Sequence, residues 1–255
     1  MTDQTSYDRL FYARHRSESL QSAEVILPLL TQIVRPTTCI DIGCGIGTWL
    51  SVAQKLWNSE VVGVDGKYVS HEQLLISLGD FHAHDLTTSL PVKGRFDLAM
   101  CMEVIEHLPP TRGASLIHEL CSLSDVVLFS GAIPHQGGTD HVNEQWPSTW
   151  VDEFSGNGYR CFDLIRPFVW SDEQVAFYYR QNSFVAVRES NTRLFHVASE
   201  IASKAPVLWN VVHPVQAIRL IRQSSGPISL RRIPQLTLRS LRAAAMRRVR
   251  RAKPN

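Results

Sequence analysis

The sequence holds no stretch near the ~18 uninterrupted apolar residues of a membrane span, and its polar start, residues 1–16, lacks the apolar segment of a secretory signal. A cytoplasmic protein is expected. Cysteine is sparse and odd in number: Cys39, Cys44, Cys101, Cys121 and Cys161 show no CxxC spacing, which argues for buried reduced thiols over a disulfide framework or a zinc site. No internal repeat is visible. Acid is missing after Glu200, whereas residues 219–253 carry 11 Lys/Arg; residues 1–218 hold 15 basic residues against 24 acidic ones, so the net charge of +2 joins an acidic body to a basic tail. With 44% hydrophobic and 20% charged residues among 255, the composition fits one main globular domain.

What is present is an alternation of short apolar runs and helical patterns. Residues 19–34 read as a helix closed by Pro36, 38–42 as a strand and 48–57 as a helix. Strand 60–64 ends at Asp65, a helix is expected near 70–78, and a short strand at 81–83 precedes Asp85 and Leu86. Strand 95–102, helix 112–122 and strand 125–130 follow. Such an order indicates βαβ units, hence a parallel sheet covered on both faces, with ligands at the carboxyl ends of its strands. Asp65, Asp85 and Glu103 all follow strand ends and are expected to face one crevice. After Gly131 comes a polar, glycine-rich loop too long for an ordinary connection. A helix over 147–155 and a closing strand pair, 160–165 and 182–188, complete the body. Beyond Ser190, two or three helices are expected, interrupted at Pro206, Pro214, Pro227 and Pro234.

The densest signal is "CIDIGCGIGTW", residues 39–49. A glycine-rich turn between strand and helix lets a ligand approach backbone N–H groups and the positive helix N-terminus. A dinucleotide fingerprint starting at Gly43 and Gly45 requires a small residue at position 48, where this chain has Thr48. No Gly-Lys-Ser/Thr follows, which excludes a P-loop.

The pattern Asp41-x-Gly43-x-Gly45-x-Gly47 resembles motif I of the class I S-adenosylmethionine-dependent methyltransferases, and the resemblance extends over about residues 38–188. It implies an α/β, Rossmann-like methyltransferase fold with a mostly parallel seven-stranded sheet, and S-adenosylmethionine as cofactor. By the same resemblance Asp41, Gly43, Gly45 and Gly47 form the cofactor loop, Asp65 takes the ribose hydroxyls, Asp85 and Leu86 lie beside the adenine, and Glu103 opens the segment "EVIEHLPP" after the fourth strand. It divides the chain into an N-terminal helical segment (1–37), a methyltransferase domain (38–189) and a helical basic extension (190–255).

Methyl transfer to oxygen also needs a group to take the acceptor's proton. His141, His107 and Glu106 are the catalytic candidates; His135 and Asp140 lie in the same loop as His141. Glu103-x-x-Glu106-His107 with His141 also resembles the metal-ligand set of the small-RNA 3′-end 2′-O-methyltransferases, where two carboxylates and two imidazoles bind a divalent ion. The metal question stays open at this level. "HVNEQWPSTWVDEF" and "IRPFVWSDEQVAFYYRQN" resemble the C-terminal part of methyltransferase-domain proteins of bacterial glycan or polysaccharide biosynthesis. Trp146, Trp150, Trp170, Tyr178 and Tyr179 there are either sugar-facing or core.

The expectation is therefore a methyltransferase acting at oxygen on a small-molecule or glycan-like acceptor. The alternatives are a metal-dependent RNA 2′-O-methyltransferase and a non-catalytic cofactor-binding or scaffold protein of the same fold. The basic tail fits peripheral contact with an anionic membrane at its inner face, then nucleic-acid phosphates, or a solvated end without partner.

Overall fold

The computed structural model describes residues 4–202 and 207–224. Most of the basic run beyond Arg222, and with it the expectation about its partners, lies outside the described residues. The chain divides into two compact units, Met1–His213 and Pro214–Asn255. In the second, the described element is helix α8 (Pro214–Ser224), so Pro214 begins a helix rather than interrupting one. None of the described helices is long and apolar enough to cross a membrane.

The first unit is built on seven strands in the order β3-β2-β1-β4-β5-β7-β6. β1 (Thr38–Ile42), β2 (Glu60–Asp65), β3 (Phe81–Ala83), β4 (Leu98–Met102) and β5 (Val126–Ser130) are parallel; β7 (Phe184–Arg188) runs antiparallel to both β5 and β6 (Tyr159–Phe162). The fold expected from the alternating pattern is thus present, including the closing strand pair.

Side-chain alternation along the central strands feeds two cores. Cys39, Leu98, Met100, Val126 and Leu128 face α1 (Gln4–Leu30) and α2 (Thr48–Trp57), with Ile26, Leu27, Leu30 and Leu50 fully buried between. Ile40, Ile42, Ala99, Cys101, Val127 and Phe129 face the other way, against Leu116 and Leu120 of α3 (Pro110–Leu123) and Phe154 of α4 (Pro147–Gly156). Asp41 shares the face of Cys39 and is the charged exception among the buried residues of this strand, Cys39, Ile40 and Ile42 being apolar. All five cysteines are free, and burial pushes Cys39 and Cys121 up to about 12.

Three expectations need correction. The segment near 70–78 is not a helix but two 3-10 turns, His71–Gln73 and Leu78–Asp80. It is held by tertiary contacts instead: Leu75 N–H bonds to Ile46 C=O, and the Ile76 side chain lies where Cβ atoms on Gly47 and Gly63 would sit. β4 begins at Leu98 rather than 95, since Phe96 makes only an isolated bridge to Ser124. Two short helices, α5 (Arg166–Val169) and α6 (Phe177–Asn182), precede β7 where the sequence showed none; at four and six residues they are too brief to display a period. α7 (Thr192–Ile201) is capped by the Asn191 side chain, which accepts from Leu194 N–H.

Candidate active site

The loop leaving β1 turns sharply because Gly43, Gly45 and Gly47 adopt φ of 80°, 54° and 81°, a left-handed region where a Cβ is penalised. The glycines differ in what surrounds them. A Cβ on Gly43 would lie 2.2 Å from Val104 Cγ2, and one on Gly47 2.9 Å from Ile76, so these two serve close packing. A Cβ on Gly45 would meet nothing within 4 Å. That side, at the start of α2, is open for a ligand to approach the backbone N–H groups.

Two carboxylates flank the loop. Asp65, at the end of β2, accepts from Gly45 N–H through Oδ2 (2.6 Å) and from Gly66 N–H (2.6 Å) and the Tyr68 hydroxyl (2.5 Å) through Oδ1. Tyr68 is 84% exposed, and its ring lies 2.1 Å from where a Cβ on Gly66 would stand. Asp41 is 1% exposed and its Oδ1 has no hydrogen-bond partner. Burial first, and the Asp65 charge second, raise its pKa to about 7.

Asp85 lies two residues beyond β3 at the surface, where its Oδ1 accepts from the Thr87 N–H and hydroxyl, which hold it below its ordinary value. The neighbouring Leu86 is buried, and its C=O accepts from Arg112 Nε. Glu103 follows β4 directly, with φ of 55°. Its Oε1 accepts from Asn182 Nδ2 (2.9 Å) and its Oε2 from Gln136 Nε2 (2.7 Å). Burial raises its pKa, against the pull of these donors. Gln136, Gln181 and Asn182 bond among themselves as well, joining the long loop and the residues before β7 to the end of β4.

The 3-10 turn Ile105–His107 carries the next two candidates. Val142 and Asn143 N–H groups both donate to Glu106 C=O, at 2.8 and 3.0 Å, and so latch the long loop to this turn. The latch sets His141 against His107, ring centroids 4.8 Å apart and nearly perpendicular. Glu144 orients the loop: Oε1 meets His141 Nδ1 at 2.9 Å and accepts from Gly137 N–H, while Oε2 accepts from His135 N–H. Glu106 is 1% exposed, and neither carboxylate oxygen has a hydrogen-bond partner. Burial, then Glu103, raise its pKa well above the ordinary range. Burial, then His141, lower the pKa of His107. Glu103, His135 and Asp140 are three of the four non-glycine residues with positive φ among those described, and such strained residues gather at functional sites.

Asn182, Gln136 and Gln181 were missed in the sequence; their signal was a polar Gln-Asn pair just before a buried strand. Tyr68 was missed too, as a lone surface aromatic. Of the aromatic candidates, Trp150 and Tyr179 are core and Trp146 is exposed, while Trp170 packs on His213.

The strand order and the glycine loop define the class: a Rossmann-like methyltransferase fold, as expected from the sequence. The family model for a methyltransferase domain matches residues 12–162, more than half of the chain, and the chain belongs to that family. No curated protein matches the sequence. Similar solved structures include the sugar N-methyltransferase KedS8 of Streptoalloteichus sp., with TM-score 0.53 and 14% identity over 71% of this chain and 92% of that one. CalS10, an amino pentose methyltransferase of Micromonospora echinaspora with S-adenosylmethionine bound, gives 0.50 and 15% over 74% and 98%. The chain spans about half (51%) of human N-acetylserotonin methyltransferase, at TM-score 0.45 and 15% identity over 66% of its own length. At these identities the likeness is one of fold.

Proposed function

We propose that this chain transfers a methyl group from S-adenosylmethionine to an oxygen of a small, sugar-like acceptor. Its residues fit the donor. Asp41 offers an orphaned, buried carboxylate oxygen to the methionyl ammonium, and Gly45 offers open backbone. Asp65 would hold the ribose hydroxyls in exchange for Tyr68, whose hydroxyl now occupies one of its oxygens. When bound, S-adenosylmethionine supplies an electrophilic methyl group on a sulfonium sulfur. Sugar methyltransferases among the fold neighbours support a sugar-like acceptor.

The observation that carries an oxygen acceptor is the grouping of Glu106, His107 and His141 by the latched loop. Val104 packs against Gly43, which places the turn bearing Glu106 and His107 directly beside the donor loop. A hydroxyl must lose its proton as it is methylated, whereas a neutral amine attacks with a lone pair already free. These side chains supply lone pairs to meet that need, either as bases or by holding a cation that acidifies the hydroxyl.

Calorimetric titration with S-adenosylhomocysteine tests the donor, comparing wild type with Gly45→Arg and Asp65→Ala. Position 45 has room for a side chain at a backbone cost of about 1 kcal/mol, so the arginine blocks ligand rather than fold. Saturable wild-type binding lost in both variants is expected; no wild-type binding defeats the reading. Label transfer from S-adenosylmethionine to sugar-containing fractions then separates an enzyme from a scaffold that binds without turnover.

A further inference from the structure

We infer that Arg180 binds an anionic group of the methyl acceptor, a phosphate or carboxylate carried by the sugar-like molecule. Three of the described arginines are buried. Arg112, 7% exposed, pairs with Glu119 at 2.6 Å, and Arg166, 3% exposed, pairs with Asp163 at 2.8 Å. Arg180, 9% exposed, pairs with no acid among the described residues, and its Nε is sealed from solvent without a hydrogen-bond partner. The cation–ring contacts among the described residues belong to Arg160, Arg166 and Arg188. A guanidinium keeps its charge, and a buried charge without a partner is costly. The fold therefore holds a cation ready for a counter-charge that it does not itself supply.

The neighbours of Arg180 on α6 fix where that charge stands. Tyr179 packs edge-on against Trp49 in the first turn of α2, ring centroids 5.1 Å apart, which ties α6 to the helix that follows the glycine loop. Asn182 bonds Glu103 at the end of β4, and Gln181 Oε1 accepts from His213 N–H at 2.7 Å. Arg180 and Asn182 are two positions apart on the helix and so point to different sides. The guanidinium consequently stands beside the donor site without competing for Glu103. It lies near His213, whose Nε2 donates to Trp170 C=O at 2.8 Å. Burial lowers the pKa of His213, the Trp170 bond opposes, and the Arg180 charge lowers it further. His213 thus stays neutral beside the guanidinium and adds no second positive charge.

The planar guanidinium offers paired N–H donors that match two oxygens of one phosphate or carboxylate. A neutral sugar cannot supply the missing charge, so the acceptor class narrows to sugars that carry an acid. That the anion belongs to the methyl acceptor rests on the function proposed above; anion binding by Arg180 does not.

The test follows the melting temperature of the full-length protein at constant ionic strength while inorganic phosphate, glucuronate or neutral methyl glucoside is titrated through the millimolar range; binding to the folded state raises it. A saturable rise with phosphate or glucuronate, and none with the neutral sugar, is expected, and the stronger of the two identifies the anion. Arg180→Met should need ~30-fold more anion for the same rise, the loss of a charge-assisted pair, and Arg180→Lys ~5-fold more, because it keeps the charge without the fork. Ligand-free Arg180→Met should melt no lower than wild type, since it removes a buried charge that has no partner. The inference is overturned by no saturable rise in wild type, by a rise that Arg180→Met leaves unchanged, or by ligand-free Arg180→Met melting well below wild type, the mark of a structural arginine. Arg180→Met should keep S-adenosylhomocysteine affinity within ~3-fold, as for a residue outside the donor site; a larger loss assigns Arg180 to the donor's carboxylate and overturns its acceptor role. Labelled methyl should enter sugar fractions retained by an anion exchanger, and label confined to the neutral fraction also overturns that role. Wild type that binds anion but not S-adenosylhomocysteine defeats the methyltransferase reading and leaves the anion site standing.

Discussion

Asp41 offers the most direct physical test of the donor site. A rise from 3.8 to about 7 corresponds to about 4 kcal/mol in favour of the protonated form. Because the folded pKa lies above the unfolded one, the folded state binds more protons between these values. Stability contributed at this residue therefore falls as pH rises from about 4 to about 7, then levels off. Asp41→Asn removes the titration while keeping the shape. In the ligand-free protein the stability difference, variant minus wild type, should grow with pH by about 3 kcal/mol between pH 4.5 and 8. The absolute offset belongs to the asparagine amide and is not the readout. Urea unfolding of both proteins at several pH values gives the difference directly. On the proposed donor site S-adenosylhomocysteine would bring its ammonium to the orphaned carboxylate, so at pH 8 saturating ligand should stabilise wild type more than Asp41→Asn. A stability difference independent of pH would refute the reasoning, because Asp41 would then be charged or neutral alike in both states.

If Asp65 takes the ribose as proposed, Tyr68→Phe should tighten S-adenosylhomocysteine binding by ~5-fold, about 1 kcal/mol, since no hydroxyl then has to be displaced from Asp65; weaker binding, read by calorimetry, would show that the ring contacts ligand instead. Gly43→Ala should destabilise by about 2–4 kcal/mol through left-handed strain plus overlap with Val104, and Gly45→Ala by only about 1 kcal/mol, a contrast that thermal melts resolve. Glu144→Ala frees His141 and two backbone N–H groups of the loop, so turnover should drop ~10–100-fold while S-adenosylhomocysteine affinity stays within ~3-fold. Full-length protein is expected to float with anionic liposomes and residues 1–218 to remain behind; equal flotation removes a membrane role for the basic run.

The strand-loop-helix unit around the glycines was legible because its signals are local. Three glycines within five residues, Asp41 just before them and Asp65 at the next strand end are consequences of one strand-turn-helix unit and its neighbour. Helix α2 and strands β1 and β2 fell almost where the pattern put them. The segment after Asp65 was misread because its order comes from Ile76 and Leu75 meeting the glycine loop, contacts that no local period encodes. Glu103 was correctly placed at a strand end, but its binding to Asn182, 79 residues away, depends on how the sheet closes. His141 was chosen by residue type and loop composition; its approach to His107 depends on two backbone bonds to Glu106 C=O, and backbone bonds leave no trace in residue identity.

The reversed direction of β7 carries a consequence for dissection of the chain. A strand antiparallel to β5 presents its beginning, not its end, to the side where the parallel strands finish, and that is why Asn182 reaches Glu103. The family match stops at residue 162, 22 residues short of the first residue of β7. A fragment cut to that match would keep every glycine and acid of the donor loop, yet it would strip β5 of a neighbour and strand a buried carboxylate without its amide. The minimal autonomous unit must therefore run through Arg188, and activity lost on shortening the chain to 162 would report a missing strand rather than a missing catalytic group.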